Sequence, residues 1–236
     1  QQQEVFHRYV LGLYELLDRL TSAFPHVLFE GCSGGGGRFD PAMLYYSPQI
    51  WTSDDTDAIE RCRIQYGTSM VYPASAISAH VSACPNHQTG RSTSFETRGN
   101  VAMAGAFGYE LDLTKLTDEE RALVRKQVAQ YHAYYDTIQN GDLYRLVSPF
   151  ENENFCAWEY VSADRKEALV TFVVPRCRVN FTSFVRMKGL DPNMRYQDVE
   201  TGRIYFGNTL MNAGLNLTAH WKDGDSHIYC FRAVEN

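Results

Sequence analysis

Gln49-Ile50-Trp51-Thr52-Ser53-Asp54-Asp55-Thr56-Asp57-Ala58-Ile59-Glu60-Arg61 passes from a short apolar run through an acidic cluster into helical spacing. An apolar run of that length reads as a buried strand, and acidic residues directly ahead of a helical pattern read as the joining loop. The same order appears upstream, where His26-Val27-Leu28-Phe29-Glu30 runs into a glycine cluster. Ile77 to Ser82 is a third strand candidate, and Val101 to Leu111 contains a fourth. Thr117-Asp118-Glu119-Glu120 then carries a helix start, with Thr117 as N-cap and Glu120 placed to close a capping box. That helix is predicted to run to Gln139 and to stop at Asn140-Gly141. Ahead of everything, residues 4–22 form an amphipathic helix, with Phe6, Tyr9, Val10, Leu13, Leu16, Leu17 and Leu20 at spacings of three and four.

Strand, loop and helix thus alternate to about residue 140, the pattern of a parallel α/β architecture. Beyond Asp142 the texture changes. Short apolar runs (Phe155 to Val161, Ala168 to Val174, Ser183 to Lys188, His227 to Arg232) lie between turn signals such as Asp191-Pro192-Asn193, Thr201-Gly202 and Lys222-Asp223-Gly224-Asp225. They predict an antiparallel β-sandwich of about eight strands. The expected fold class is α/β plus all-β: the second half of a (β/α)8 TIM barrel over residues 1–141, then a β-sandwich over residues 142–236. About four strand–helix units precede the β-region, whereas a complete barrel needs about eight and about 250 residues. The chain is therefore expected to be truncated on its N-terminal side; it opens Gln1-Gln2-Gln3-Glu4, without an initiator Met.

Composition narrows the function. A chain of 236 residues with 44% hydrophobic residues can bury a real core, and 21% charged residues argues against disorder. A net charge of -6 does not suit nucleic acid or an anionic membrane as partner. Neither a bilayer-spanning apolar run nor a signal peptide is visible. The six cysteines (Cys32, Cys62, Cys84, Cys156, Cys177, Cys230) are widely spaced without a C-x-x-C, which disfavours a zinc site or a disulfide scaffold and suits reduced thiols in a cytosolic protein. No metal and no organic cofactor is implied.

Three segments carry candidate chemistry. The first is Gly31-Cys32-Ser33-Gly34-Gly35-Gly36-Gly37-Arg38-Phe39-Asp40. Glycines after a strand permit a tight loop or a close ligand approach. A phosphate loop would need Lys-Ser/Thr after the last glycine, and Arg38-Phe39 stands there instead. The second is Trp51 to Asp57, at a strand's C-terminal end, where barrel active sites lie. Asp55 and Asp57 suit capping of the following helix; Asp54 stands nearest the strand end and can serve as a general acid or base. The third is Ser82-Ala83-Cys84-Pro85-Asn86-His87-Gln88, in which Cys84 and His87 could pair as nucleophile and base but read better as a structural loop. His80, within the strand, reads as a buried hydrogen-bonded residue.

Taken together, Leu28 to Asp40, Trp51 to Asp57, Gln65-Tyr66-Gly67-Thr68, Pro85-Asn86-His87-Gln88, Gly108-Tyr109-Glu110-Leu111-Asp112-Leu113 and Met211-Asn212-Ala213-Gly214-Leu215 resemble the family 36 glycoside hydrolases, chiefly bacterial α-galactosidases. The resemblance runs from residue 1 to about residue 218. It implies a (β/α)8 catalytic barrel and a C-terminal β-sandwich, and retaining hydrolysis of terminal α-galactosides such as melibiose and raffinose by two carboxylates. It places the acid/base at Asp54, with Asp55 as the alternative, and the sugar contacts at Trp51, Cys32 and Gly35 or Gly34. The family nucleophile lies in a Lys-Trp-Asp motif, and no such triplet occurs in this sequence. The isolated chain is therefore expected to be inactive. Galactose-containing oligosaccharides are the implied partners, and a cytoplasmic homo-oligomer, often a homotetramer, assembled with the missing part is the implied state. The alternatives are an α-N-acetylgalactosaminidase, a galactosyl transferase of the same family, or a non-catalytic carbohydrate-binding fragment.

Overall fold

The computed structural model describes residues 2–34, 37, 40–178, 184–217 and 221–234. They fall into two compact units, Gln1–Asp54 and Asp55–Asn236.

The first unit holds helix α1 (Gln2–Ala23), strand β1 (Glu30–Gly31), helix α2 (Pro41–Tyr46) and strand β2 (Gln49–Ile50). β1 and β2 pair in parallel, Glu30 opposite Gln49 and Gly31 opposite Ile50. The strand predicted over 26–30 is shorter than expected. Among the described residues those just ahead of Glu30 have no ladder partner, and Val27 and Leu28 are exposed. α2 had no distinct sequence signal; Asp40 starts it by accepting from the Ala42 and Met43 amides at 2.9 and 3.1 Å, with Pro41 at the first turn. The apolar stripe of α1 forms as predicted, but it is only partly covered. Leu13, Leu17 and Leu20 are half-buried, while Phe6, Tyr9, Val10 and Leu16 are exposed.

The second unit opens with α3 (Ala58–Thr68), β3 (Ser78–Ser82), α4 (Phe95–Ala102), β4 (Ala106–Glu110) and α5 (Asp118–Asn140). β3 and β4 pair in parallel, and His80, half-buried, stands opposite Gly108. A Cβ on Gly108 would come within 2.7 Å of the imidazole, so glycine makes room for the ring. α4 occupies the beginning of the stretch predicted to contain a strand; Ser94 caps it by accepting from the Thr97 amide. α5 starts as predicted. The Glu120 amide donates to Thr117 Oγ1 at 3.2 Å and the Thr117 amide to Glu120 Oε2 at 3.0 Å, a complete capping box. Its end differs in cause. Gly141 has φ −83°, not a left-handed conformation; glycine is needed because a Cβ would meet the Thr137 and Val161 carbonyls at 2.3 and 2.5 Å.

Eight strands follow among the described residues: β5 (Asp142–Val147), β6 (Cys156–Val161), β7 (Glu167–Val173), β8 (Phe184–Val185), β9 (Arg195–Asp198), β10 (Ile204–Phe206), β11 (Leu215–Asn216) and β12 (Ser226–Val234), with helix α6 (Gly207–Asn212) between β10 and β11. Six form one antiparallel sheet in the order β10-β9-β12-β7-β6-β5, and β11 pairs with β8. Strand alternation sorts the sheet's two faces. Cys156, Trp158 and Tyr160 pack with Ala58, Ile59, Cys62, Val101 and Ile138 from the helices. Ala157, Val161, Val170 and Phe172 pack with Val185, Leu215 and Leu217. The six-stranded sheet is thus covered by helices on one face and by the small sheet on the other.

Candidate active-site segment

Sequence order carries the three candidate segments to the ends of strands. In the first unit, the Trp51 amide donates to the Gly31 carbonyl at 2.8 Å, which extends the parallel ladder past β2. Gln49 Nε2 donates to Glu30 Oε2 at 2.7 Å and ties the two strands by their side chains. Cys32 follows β1 directly and is exposed. Gly34 has φ +61°, a left-handed conformation that glycine adopts without strain. Gly35, the other predicted sugar contact, lies outside the described residues, as do Gly36, Arg38 and Phe39. Trp51 is only 9% exposed, so its ring is mostly packed. The buried Thr52 hydroxyl has no hydrogen-bond partner among the described residues. Cys32, Gly34, Trp51 and Asp54 all belong to this unit.

The three acids of the loop have different fates. Asp54 is exposed, and among the described residues no hydrogen bond or ion pair holds its carboxylate. Asp55 Oδ1 accepts from the Asp57 amide at 3.0 Å. Asp57 is buried and caps α3, accepting from the Ile59 and Glu60 amides at 2.8 and 3.3 Å. Its carboxylate also accepts from Thr89 Oγ1 and from Arg91 Nη1, each at 2.5 Å. Burial would raise the Asp57 carboxyl, but the bonds from Thr89, Arg91 and the two amides outweigh it and hold the group below its ordinary value. Behind the loop, Arg61 is buried; its Nε donates to Gln65 Oε1 and its Nη2 to the Ser78 carbonyl. Burial lowers the Arg61 guanidinium to about 10, against the pull of Asp55 and Glu110.

The third segment proves structural. Cys84 Sγ accepts from the Thr93 amide at 3.2 Å and lies 3.7 Å from the Arg91 carbonyl, while His87 is exposed. Asn86 organises this loop: its Oδ1 accepts from the Gln88 and Thr89 amides at 2.9 and 3.0 Å. Reading the sequence missed Thr89 and Arg91 as partners of Asp57. The Asp57–Arg91 bond spans 34 positions, and no local pattern announces it. Among the described residues no group of three or more His, Cys, Asp and Glu is placed to hold a metal ion, and no helix is long and apolar enough to cross a membrane.

Residues 1–141 match the family described as Melibiase, and residues 155–231 match the glycosyl hydrolase family 36 C-terminal domain. The chain is 55% identical over 236 residues to α-galactosidase AgaA of Geobacillus stearothermophilus, covering 100% of this chain and 32% of that protein. A crystal structure of an AgaA variant in complex with raffinose superposes with a TM-score of 0.93 at 55% identity, over 97% of this chain and 32% of the other. The α-galactosidase from Lactobacillus brevis superposes with a TM-score of 0.95 at 47% identity, over 100% of this chain and 33% of the other. The fold is accordingly a barrel part followed by a β-domain. The chain spans about a third of the length of the curated relatives it matches.

Proposed function

This chain belongs to the Melibiase family and carries a glycosyl hydrolase family 36 C-terminal domain, and on that premise we propose that it is the acid/base-bearing part of an α-galactosidase acting on raffinose-type sugars. Hydrolysis of an α-galactoside with retention needs two carboxylates, one to attack the anomeric carbon and one to protonate the leaving oxygen and then activate water. Asp54 supplies the second. The observation that carries this choice is the division of labour in the acidic loop: Asp57 is consumed by its cap and by Arg91, Asp55 accepts from the Asp57 amide, and Asp54 alone of the three is exposed. An exposed carboxylate on the loop after β2, three residues beyond the mostly buried Trp51, can meet a substrate from solvent. Trp51, Cys32 and Gly34 or Gly35 line the galactose subsite in this reading. The nucleophile comes from a strand outside this chain, so the isolated chain is inactive.

The test is hydrolysis of raffinose and of nitrophenyl α-galactoside by the full-length protein, with and without Asp54→Ala. The variant is expected to lose about 10²–10⁴-fold on raffinose, the usual contribution of a positioned general acid. Full activity in Asp54→Ala would remove the assignment. A native enzyme that prefers the N-acetylgalactosaminide would replace the substrate.

A further inference from the structure

The loop that follows β3 grips the residues directly downstream of Asp54 more firmly than a helix cap requires. Thr56 is held twice: its carbonyl accepts from Ser82 Oγ at 3.0 Å, and its hydroxyl accepts from Asn86 Nδ2 at 3.0 Å. Asp57, one residue on, accepts from Thr89 and Arg91 of the same loop. Thr56, Asp57 and Asn86 are all buried, at 6, 2 and 5% exposure. The loop is itself braced, since Asn86 Oδ1 holds the Gln88 and Thr89 amides, and Arg98 Nη1 donates to the Ser82 carbonyl. Capping α3 uses only Asp57 Oδ1; Oδ2 is given to Thr89. A Ser or Thr would cap as well as Asp, and a buried carboxylate is costly unless paired. The surplus bonds therefore do something other than start a helix: they fix the chain two and three residues after Asp54.

We infer that Asp57, with Thr89 and Asn86 of the loop after β3, is a positioning group that fixes the Asp54 carboxyl for proton transfer to the leaving oxygen. This rests on the reading of Asp54 as the acid/base. Catalytic geometry is demanding enough that a displacement of about 1 Å can cost about 10²-fold. Asp57 itself touches no substrate in this role.

The experiment compares kcat/KM of the full-length enzyme on two substrates. Raffinose leaves as a sugar alkoxide and needs the proton; dinitrophenyl α-galactoside leaves as a stable phenolate and does not. Asp57→Ser keeps an N-cap but breaks the ties to Arg91 and Thr89, Asn86→Ala removes the bond to Thr56, and Thr89→Val, at an exposed residue, removes the hydroxyl that donates to Asp57 and accepts from the Arg91 amide. Each variant is expected to lose about tenfold or more on raffinose and less than about twofold on the dinitrophenyl substrate. Equal losses on both substrates would mean a merely structural role, and no loss on raffinose would mean none; either result overturns the inference. Asp54→Asn is the reference. If it splits the two substrates while the loop variants do not, only the positioning role fails. If Asp54→Asn itself shows no split, the acid/base reading fails and this inference falls with it.

Discussion

Glu159 is the residue whose surroundings depart most from its chemistry. It lies on β6, between β7 and the edge strand β5 of the six-stranded sheet, fully buried. Its Oε2 accepts from the Lys188 amide at 2.8 Å, and its Oε1 has no partner among the described residues. Burial pushes the carboxyl up to about 8, and the Lys188 amide and charge only partly oppose it. The unfolded chain would release that proton near the ordinary glutamate value of about 4.3. Between these two values the folded state holds a proton that the unfolded state has lost, so stability is full below the lower value and falls as pH rises through the upper one. We expect the native protein to lose on the order of 3 kcal/mol between pH 4.5 and pH 8 from this group, and Glu159→Gln to flatten that decline. Urea unfolding at a series of pH values checks it; equal slopes for native and variant would dismiss the idea. Nothing in Phe155 to Val161 hinted at this, because the run reads as an apolar strand whichever way Glu159 points. Asp57 was different. Its position ahead of Ala58 announced the cap, while its bonds to Thr89 and Arg91 depend on a loop more than thirty positions away.

Among elements, α5 and α1 were legible for a simple reason: both are long enough to repeat their pattern and carry signals at their ends. The capping box of α5 is present to the atom. α2 and α4, of six and eight residues, are too short for a three-and-four period to stand out, and each depends on a cap that also occurs in turns. α1 shows what periodicity leaves open. Its apolar stripe was visible, but what covers the stripe was not. With Phe6, Tyr9 and Leu16 exposed, the 236-residue chain is expected to bind an environment-sensitive hydrophobic dye, and Phe6→Ser with Leu16→Ser to lower that fluorescence by roughly half. An unchanged signal would place the apolar surface elsewhere.

At the scale of the molecule, the change of texture near residue 142 marks a change of architecture, yet the packing runs across it. Trp158 and Tyr160 share a core with Ile59, Val101 and Ile138. The Tyr160 hydroxyl donates to the Ala104 carbonyl at 3.2 Å, and Thr137 Oγ1 donates to Glu167 Oε1 at 2.7 Å. A chain beginning at Asp142 would expose the helix-facing side of β6 and β7. It is expected to show no cooperative thermal transition by circular dichroism, whereas a sharp one would mean that the sheet and its small partner sheet suffice.

The amino-acid order alone determined the succession of parallel strand–helix units and antiparallel strands, the caps of α3 and α5, and the segment that bears Asp54. These follow from short-range spacing, glycine and N-cap chemistry, which act between neighbours in the chain. The tertiary structure decided which carboxylate of the acidic loop is exposed, how the loop after β3 grips Thr56 and Asp57, the burial of Glu159, and the joining of helices and sheet into one core. These depend on contacts between residues distant in sequence, where burial and partnership are set by the packed whole.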